Sequence, residues 1–324
     1  MDDGSSRSDS RRATDTGHTA GSRIRLFTTK SESCQSCVSH VARKKRNVKN
    51  NDSQHNDTQQ QRFDKCFNIL IKPVVTEFVF TFFHLLLGIM TAAGPNLTGQ
   101  APFSLTAAAL STGLNLYAFI VATFHISGGH LNPIISYGVF LSGGFALDLA
   151  IVYVVVQLAA GIAAAGVLKV LVNNSALPEH WALIRFNANL QNEVQVVFTE
   201  ALICCALLLI AYMTIVESEG KNPFGPLLIG IFVSSSIYAA GPISGAGINP
   251  ARCLGPVVVF GGWKTVWVYF VGPFLGTTVA GVLYRYFFSK RKLPPLKYTA
   301  LRNIWEMIPQ QPSTQVVLQK ESNV

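Results

Sequence analysis

Charge is what this chain has least of. Only 13% of its 324 residues are Asp, Glu, Lys or Arg, where soluble domains carry about 25%, and the charged residues that exist sit mostly in the tails. That excludes an ordinary soluble globular surface over most of the length. Cysteines number six, too few and too scattered for a secreted disulfide framework. Cys204 and Cys205 fall in an apolar window, where buried thiols are commonplace. Cys34-Gln35-Ser36-Cys37 is a lone pair, and zinc needs two further ligands that His18 and His40 do not supply at a familiar spacing. No metal and no cofactor is expected. A nucleophile–base pair in a recognisable context is also missing, so the chain does not read as an enzyme. The first sixty-five residues have neither the apolar run nor the cleavage site of a signal peptide.

What is abundant is apolar sequence in blocks. Nearly uncharged windows lie around Val74–Ala93, Ser104–Phe124, Leu147–Leu171, Val194–Val216, Gly225–Ala240 and Trp267–Phe288. Five are long enough to cross a hydrocarbon core of about 30 Å, and the fifth in order needs a few flanking residues. The net charge of +9 invites a nucleic-acid reading, but its distribution argues otherwise. Of 26 Lys and Arg, fourteen precede Val74 and six follow Ser289, while the loop after the third window has only Arg185. Six spans put both tails on one side, and the positive-inside rule makes that side cytoplasmic. The partner is a lipid bilayer and not nucleic acid. Residues 1–65 read as a disordered basic cytoplasmic tail, 66–290 as the membrane domain and 291–324 as a second cytoplasmic tail.

Within the membrane domain one stretch occurs twice. Ile126-Ser127-Gly128-Gly129-His130-Leu131-Asn132-Pro133 has a distorted copy in Ile243-Ser244-Gly245-Ala246-Gly247-Ile248-Asn249-Pro250. Asn is a preferred N-cap and Pro suits the first helical turn, so Asn132-Pro133-Ile134 and Asn249-Pro250-Ala251 each open a short helix. The first, to about Leu141, rises roughly 15 Å, about half a hydrocarbon core. Non-helical backbone at that depth requires a protein interior or a water-filled cavity. The spacing predicts two re-entrant half-helices whose positive N-terminal ends meet near the midplane, repelling cations and accepting neutral molecules. Glu77 precedes Asn132 by 55 positions and Glu200 precedes Asn249 by 49. Both glutamates are expected to accept hydrogen bonds from the loop backbone, with the ring of His130 donating to the same backbone. His84, alone on the first span, reads as a packed or lipid-interface residue. Arg252, one turn into a half-helix, has to face water to be tolerated. The loop Glu217–Pro223 is short and polar enough to act as a gate. Gly161, Gly166, Gly272, Gly276 and Gly281 allow close helix contact.

Each half, about 70–171 and 194–288, has three spans with a half-helix between its second and third, and an odd number of spans inverts the second half in the bilayer. The fold class is therefore all-α, polytopic, with six transmembrane helices and two re-entrant half-helices in an inverted repeat. The two Asn-Pro motifs, the run from Ser244 to Arg252 and the paired glutamates resemble the aquaporin, or major intrinsic protein, family over about residues 70–290. Cys253 after Asn-Pro-Ala-Arg, and Ile134 where the first motif departs from Asn-Pro-Ala, resemble the X intrinsic proteins, a subfamily known from plants and fungi.

The resemblance implies a homotetramer with one pore per monomer, in the plasma membrane. It also implies a selectivity constriction lined by Thr112, Ile237, Ala246 and Arg252. Strict water channels of the family carry a bulky aromatic and a histidine there. Thr112 and Ile237 in their place imply a wider, less polar ring suited to glycerol, urea, hydrogen peroxide or boric acid beside water. Cys253, next to the constriction, is a candidate site for mercury or peroxide. Sequons at Asn96 and Asn173 fall in loops assigned to the outside, while those at Asn51 and Asn56 fall in the cytoplasmic tail. The competing readings are a secondary transporter, which should show a charged coupling site at the midplane, and a non-conducting structural membrane protein.

Overall fold

The apolar windows fold as helices because a backbone surrounded by hydrocarbon must satisfy its own polar groups. The computed structural model describes residues 43–44, 60–61, 64, 66–98, 105–172, 183–219, 222–290 and 292–301. Contacts divide the chain at Thr58, and the later unit, Gln59–Val324, holds all the helices discussed below. Of the earlier unit only Arg43 and Lys44 are described, so the tail sequons and the Cys34–Cys37 pair lie outside the described residues, as does most of the stretch 1–65 expected to be disordered; Arg43, Lys44, Gln60, Gln61 and Asp64, which are described, are helical.

In chain order the helices are α1 (Lys72–Thr98), α2 (Leu105–Ser127), α3 (Pro133–Leu141), α4 (Leu147–Leu171), α5 (Glu193–Ala211), α6 (Gly225–Ser244), α7 (Pro250–Phe260) and α8 (Val268–Leu283). Short wider-wound turns extend α1 backward from Lys72 and α5 and α8 forward, giving six spans including Glu193–Val216 and Trp263–Phe288. The fifth window, too short on hydropathy alone, reaches Ser244 because Pro242 sits inside α6 without ending it, and Gly245 at φ 86° closes the helix. No more than 44% of any spanning window is buried, and the outer faces carry residues such as Val155, Phe198 and Leu202, 59%, 64% and 69% exposed. These faces suit an apolar surrounding such as lipid.

Packing follows the repeat. α1 lies on α4 and α5 on α8; α7 docks on α4 and α3 on α8; α2 crosses α6 between them. The close crossings rest on glycine. A Cβ on Gly161 of α4 would collide with the Ala251 carbonyl of α7, and one on Gly276 of α8 with the Ala201 carbonyl of α5. Gly166 differs from its sequence reading, since a Cβ there meets nothing within 4 Å. Its neighbours Ala164, Ala165 and Leu168 are buried against α1, so Gly166 sits off the packed face of α4.

Beyond Pro294, where the sequence names no element, the chain is held against the bundle. Leu147 N donates to Lys297 O at 2.9 Å, Ala300 N and Leu301 N both donate to Asp148 Oδ2 at 2.6 Å, and Arg285 Nη2 reaches Pro294 O at 2.7 Å. The segment 292–301 therefore packs with the membrane domain, although the sequence reading assigns it to the tail. The start of the Glu217–Pro223 loop is also tied down: Tyr284 Oη donates to Glu217 Oε2 at 2.9 Å. α1 carries the backbone in helical form through Thr98, so Asn96 sits on its final turn and not in a loop. Asn173 lies outside the described residues.

Candidate functional site

Each half-helix starts as Asn-Pro chemistry dictates. Asn132 caps α3 through Oδ1, which accepts from Ile134 N at 3.2 Å, and Asn249 caps α7 through Oδ1 from Ala251 N at 2.9 Å. The remaining amide of each side chain crosses to the other repeat. Asn249 Nδ2 donates to Leu131 O at 3.0 Å and Asn132 Nδ2 approaches Ile248 O at 3.5 Å. The two N-termini are thereby held tip to tip.

The loops feeding them share one backbone shape. Gly128, Gly129 and Leu131 have φ of 89°, 63° and 53°, and Gly245, Ala246 and Ile248 have 86°, 49° and 56°. Glycine adopts such angles freely, whereas Leu131, Ala246 and Ile248 are strained and persist only if something behind holds them. Glu77 and Glu200 do this. Glu77 Oε1 accepts from Ser127 Oγ at 2.7 Å and His130 N at 2.9 Å, and Oε2 accepts from Leu131 N and Gln157 Nε2, both at 2.8 Å. Glu200 Oε1 accepts from Ser244 Oγ at 2.6 Å and Gly247 N at 2.9 Å, and Oε2 from Ile248 N at 2.8 Å. Residues of both loops, Gly128 to His130 and Gly245 to Ile248, line a common cavity.

Two tyrosines complete the frame, Tyr153 donating to Ser127 O at 3.2 Å and Tyr269 to Ser244 O at 2.7 Å. The sequence reading missed them, yet the signal was there: Tyr153 follows Asn132 by 21 positions and Tyr269 follows Asn249 by 20. The ring of His130 does not donate to loop backbone as expected. Its Nδ1 lies 3.1 Å from Ser136 Oγ, and the ring packs edge-on against Phe145 and Tyr153; it is the main-chain N–H of His130 that serves the loop.

A cavity of about 360 Å³ runs through this frame. It extends from Ala92 and Leu105 at one end of the bundle, past Asn132 and Asn249, to Tyr212 and Val216 at the other. Thr112, Ile237, Ala246 and Arg252 all line it. Among the further lining residues that the sequence reading did not place there are Ile184, from the segment before α5, and His84. His84 is not at a lipid interface, being only 5% exposed and turned inward. It stands seven positions, two helical turns, after Glu77 on the same face of α1, which is the pattern that could have located it.

Ile134 and Cys253 are turned away from this cavity. Ile134 is fully buried among Leu131, Leu207 and Leu208, behind the Asn tip and not across it. Cys253 is 2% exposed beside Val196, Val268 and Tyr269, on a separate cavity of about 270 Å³. One helical position turns a side chain by about 100°, so Arg252 facing the path sends Cys253 behind it. The expected reactive site beside the constriction is thus a buried thiol on the far side of α7. Among the described residues no group of His, Cys, Asp and Glu is arranged to hold a metal.

The same architecture is found elsewhere. The aquaglyceroporin from Plasmodium falciparum superposes with a TM-score of 0.57 at 24% identity, covering 66% of this chain and 95% of its own, a likeness of fold. Aquaporin TIP4-1 of Zea mays is 34% identical over 229 residues, 69% of this chain and 88% of that protein. Probable aquaporin TIP2-2 of Oryza sativa subsp. japonica is 34% identical over 233 residues, 69% of this chain and 91% of that protein. Residues 66–284 match the family described as Major intrinsic protein. With six spans, two half-helices and that match over most of its length, the chain belongs to the major intrinsic protein family, the family of the aquaporin channels.

Proposed function

We propose that the chain is a passive channel for water and small uncharged solutes that favours glycerol, urea, hydrogen peroxide or boric acid over what a strict water channel passes. The observation that carries this is the cavity that crosses the bundle between Asn132 and Asn249, with Thr112, Ile237, Ala246 and Arg252 on its wall. Arg252 and the two half-helix N-termini oppose cations, and the cavity's apolar side at Ile237 accommodates the carbons of a polyol. The four residues act as the selectivity constriction and the Asn-Pro tips as the midplane barrier. A homotetramer with the termini in the cytoplasm accounts for the apolar outer faces and the basic ends.

Assignment to the X intrinsic proteins rests on Ile134 and Cys253. The similar plant proteins carry TIP names, so this assignment, and the plasma membrane that goes with it, stand as proposals that localisation of the full chain would decide. Glycan attached at Asn51 or Asn56 would overturn the orientation.

The deciding experiment is stopped-flow light scattering on proteoliposomes. It compares water and glycerol flux with and without an ion gradient for the parent and Ile237→His. Fast glycerol flux that ignores the gradient and drops in the histidine variant supports the reading. Flux that follows the gradient indicates a coupled transporter, and absence of any flux a structural protein.

A further inference from the structure

The cavity wall carries a polar group that neither Asn-Pro repeat supplies. His84 Nδ1 forms a short hydrogen bond with Asn115 Oδ1 on α2. With the Asn115 amide in this orientation its oxygen accepts, so the imidazole donates through Nδ1 and leaves Nε2 as an acceptor, while Asn115 Nδ2 is buried without a partner among the described residues. Among the described residues Nε2 has no protein partner, yet it is not a sealed, unsatisfied atom. His84 is 5% exposed and lines the cavity, so the cavity is where Nε2 is reached. A histidine kept only for packing would be sealed off on that side or satisfied by the fold.

The neighbours make the placement specific. Gly88 lies one turn further along α1, and a Cβ there would stand 3.8 Å from Thr112 Oγ1. The missing side chain leaves the Thr112 hydroxyl on the wall, three positions before Asn115 on the same face of α2. Arg252 lines the same cavity. Ile184 and Ile237 supply the apolar remainder. An acceptor at His84, a hydroxyl at Thr112 and a cationic donor at Arg252 therefore share one chamber with apolar walls.

We propose that His84, held by Asn115, is a specificity-determining residue of the path: its Nε2 accepts a hydrogen bond from a passing hydroxyl or amide while Arg252 donates to the same solute. This deepens the channel reading and rests on it. The preferred solutes carry donor and acceptor together on a small frame, as polyols and urea do. Water, small enough to pass with fewer simultaneous contacts, depends on the station less. Asn115 is a positioning residue, since it sets the ring's tautomer and direction without lining the cavity itself.

The test uses the full chain in proteoliposomes and reads the ratio of glycerol to water permeability, with folding checked by circular dichroism and size exclusion. His84→Phe keeps the ring and removes the acceptor. It is expected to lower the ratio about fivefold to tenfold, the effect of losing one hydrogen bond in the crossing. His84→Gln, which returns a polar end, recovers at least half of that loss. Asn115→Leu frees the ring and lowers the ratio about twofold to threefold. An unchanged ratio in His84→Phe, or equal ratios for Phe and Gln, overturns the proposal while leaving the channel intact. If His84→Phe does not fold, an unchanged ratio in Asn115→Leu overturns it equally. A parent that conducts neither water nor glycerol removes the path itself, and this station with it.

Discussion

Removing the Glu77 carboxylate tests whether the strained loops are held from behind. In Glu77→Ala the N–H groups of His130 and Leu131 lose acceptors at 2.9 and 2.8 Å, and Ser127 Oγ loses its bond at 2.7 Å. Gln157 Nε2 keeps a partner in Ser136 Oγ at 2.9 Å. Glu77 is 0% exposed, so the two stranded N–H groups face a buried void where the carboxylate stood. Each orphaned buried donor costs about 1–3 kcal/mol, or about 2–6 kcal/mol together. Leu131 at φ 53° also loses its tether. Net stabilities of folded domains run at about 5–15 kcal/mol, so the loss is a large fraction of the whole. Glu200→Ala strands Gly247 and Ile248 in the same way, with Ser244 Oγ retaining Ala240 O at 3.3 Å. The Gln variants keep one oxygen and strand about one donor each, at about half the cost. Unfolding midpoints of purified protein, read by intrinsic fluorescence, should fall in the order parent, Gln, Ala at both positions, and water flux per folded protein should follow. An Ala variant with the parent's midpoint and flux would refute the reasoning.

Helix spacing and the Asn tip give two further expectations. Gly161→Ala forces α4 from the Ala251 carbonyl and should abolish assembly, whereas Gly166→Ala meets nothing within 4 Å and should gain up to about 1 kcal/mol of helix propensity; size exclusion and thermal unfolding separate them. Ile134→Ala empties a fully buried site and should cost about 2–5 kcal/mol. Because that side chain sits behind the tip, the glycerol-to-water flux ratio should stay at the parent's value; a raised ratio would mean that Ile134 narrows the path after all.

The spans and half-helices were legible in the residues themselves. Apolar windows of bilayer length have one stable form in hydrocarbon, and an Asn-Pro pair after a small-residue loop starts a helix wherever it stands. The duplication of Ser127 to Pro133 in Ser244 to Pro250 carried the inversion, and with it the meeting of Asn132 with Asn249. What the sequence could not mark was direction. In a soluble helix the polar face points outward and the apolar face inward, but here the lipid-facing and protein-facing sides are both apolar. Ile134 across the path or behind it, Cys253 beside Arg252 or turned from it, and Gly166 on the packed face of α4 or off it read alike along the chain. His84 carries no tag to separate a lipid edge from the cavity wall except its two-turn spacing from Glu77. Only the packing of α1 on α2 and α4 turned it inward, because a membrane helix takes its rotation from its neighbours and not from contrast with water.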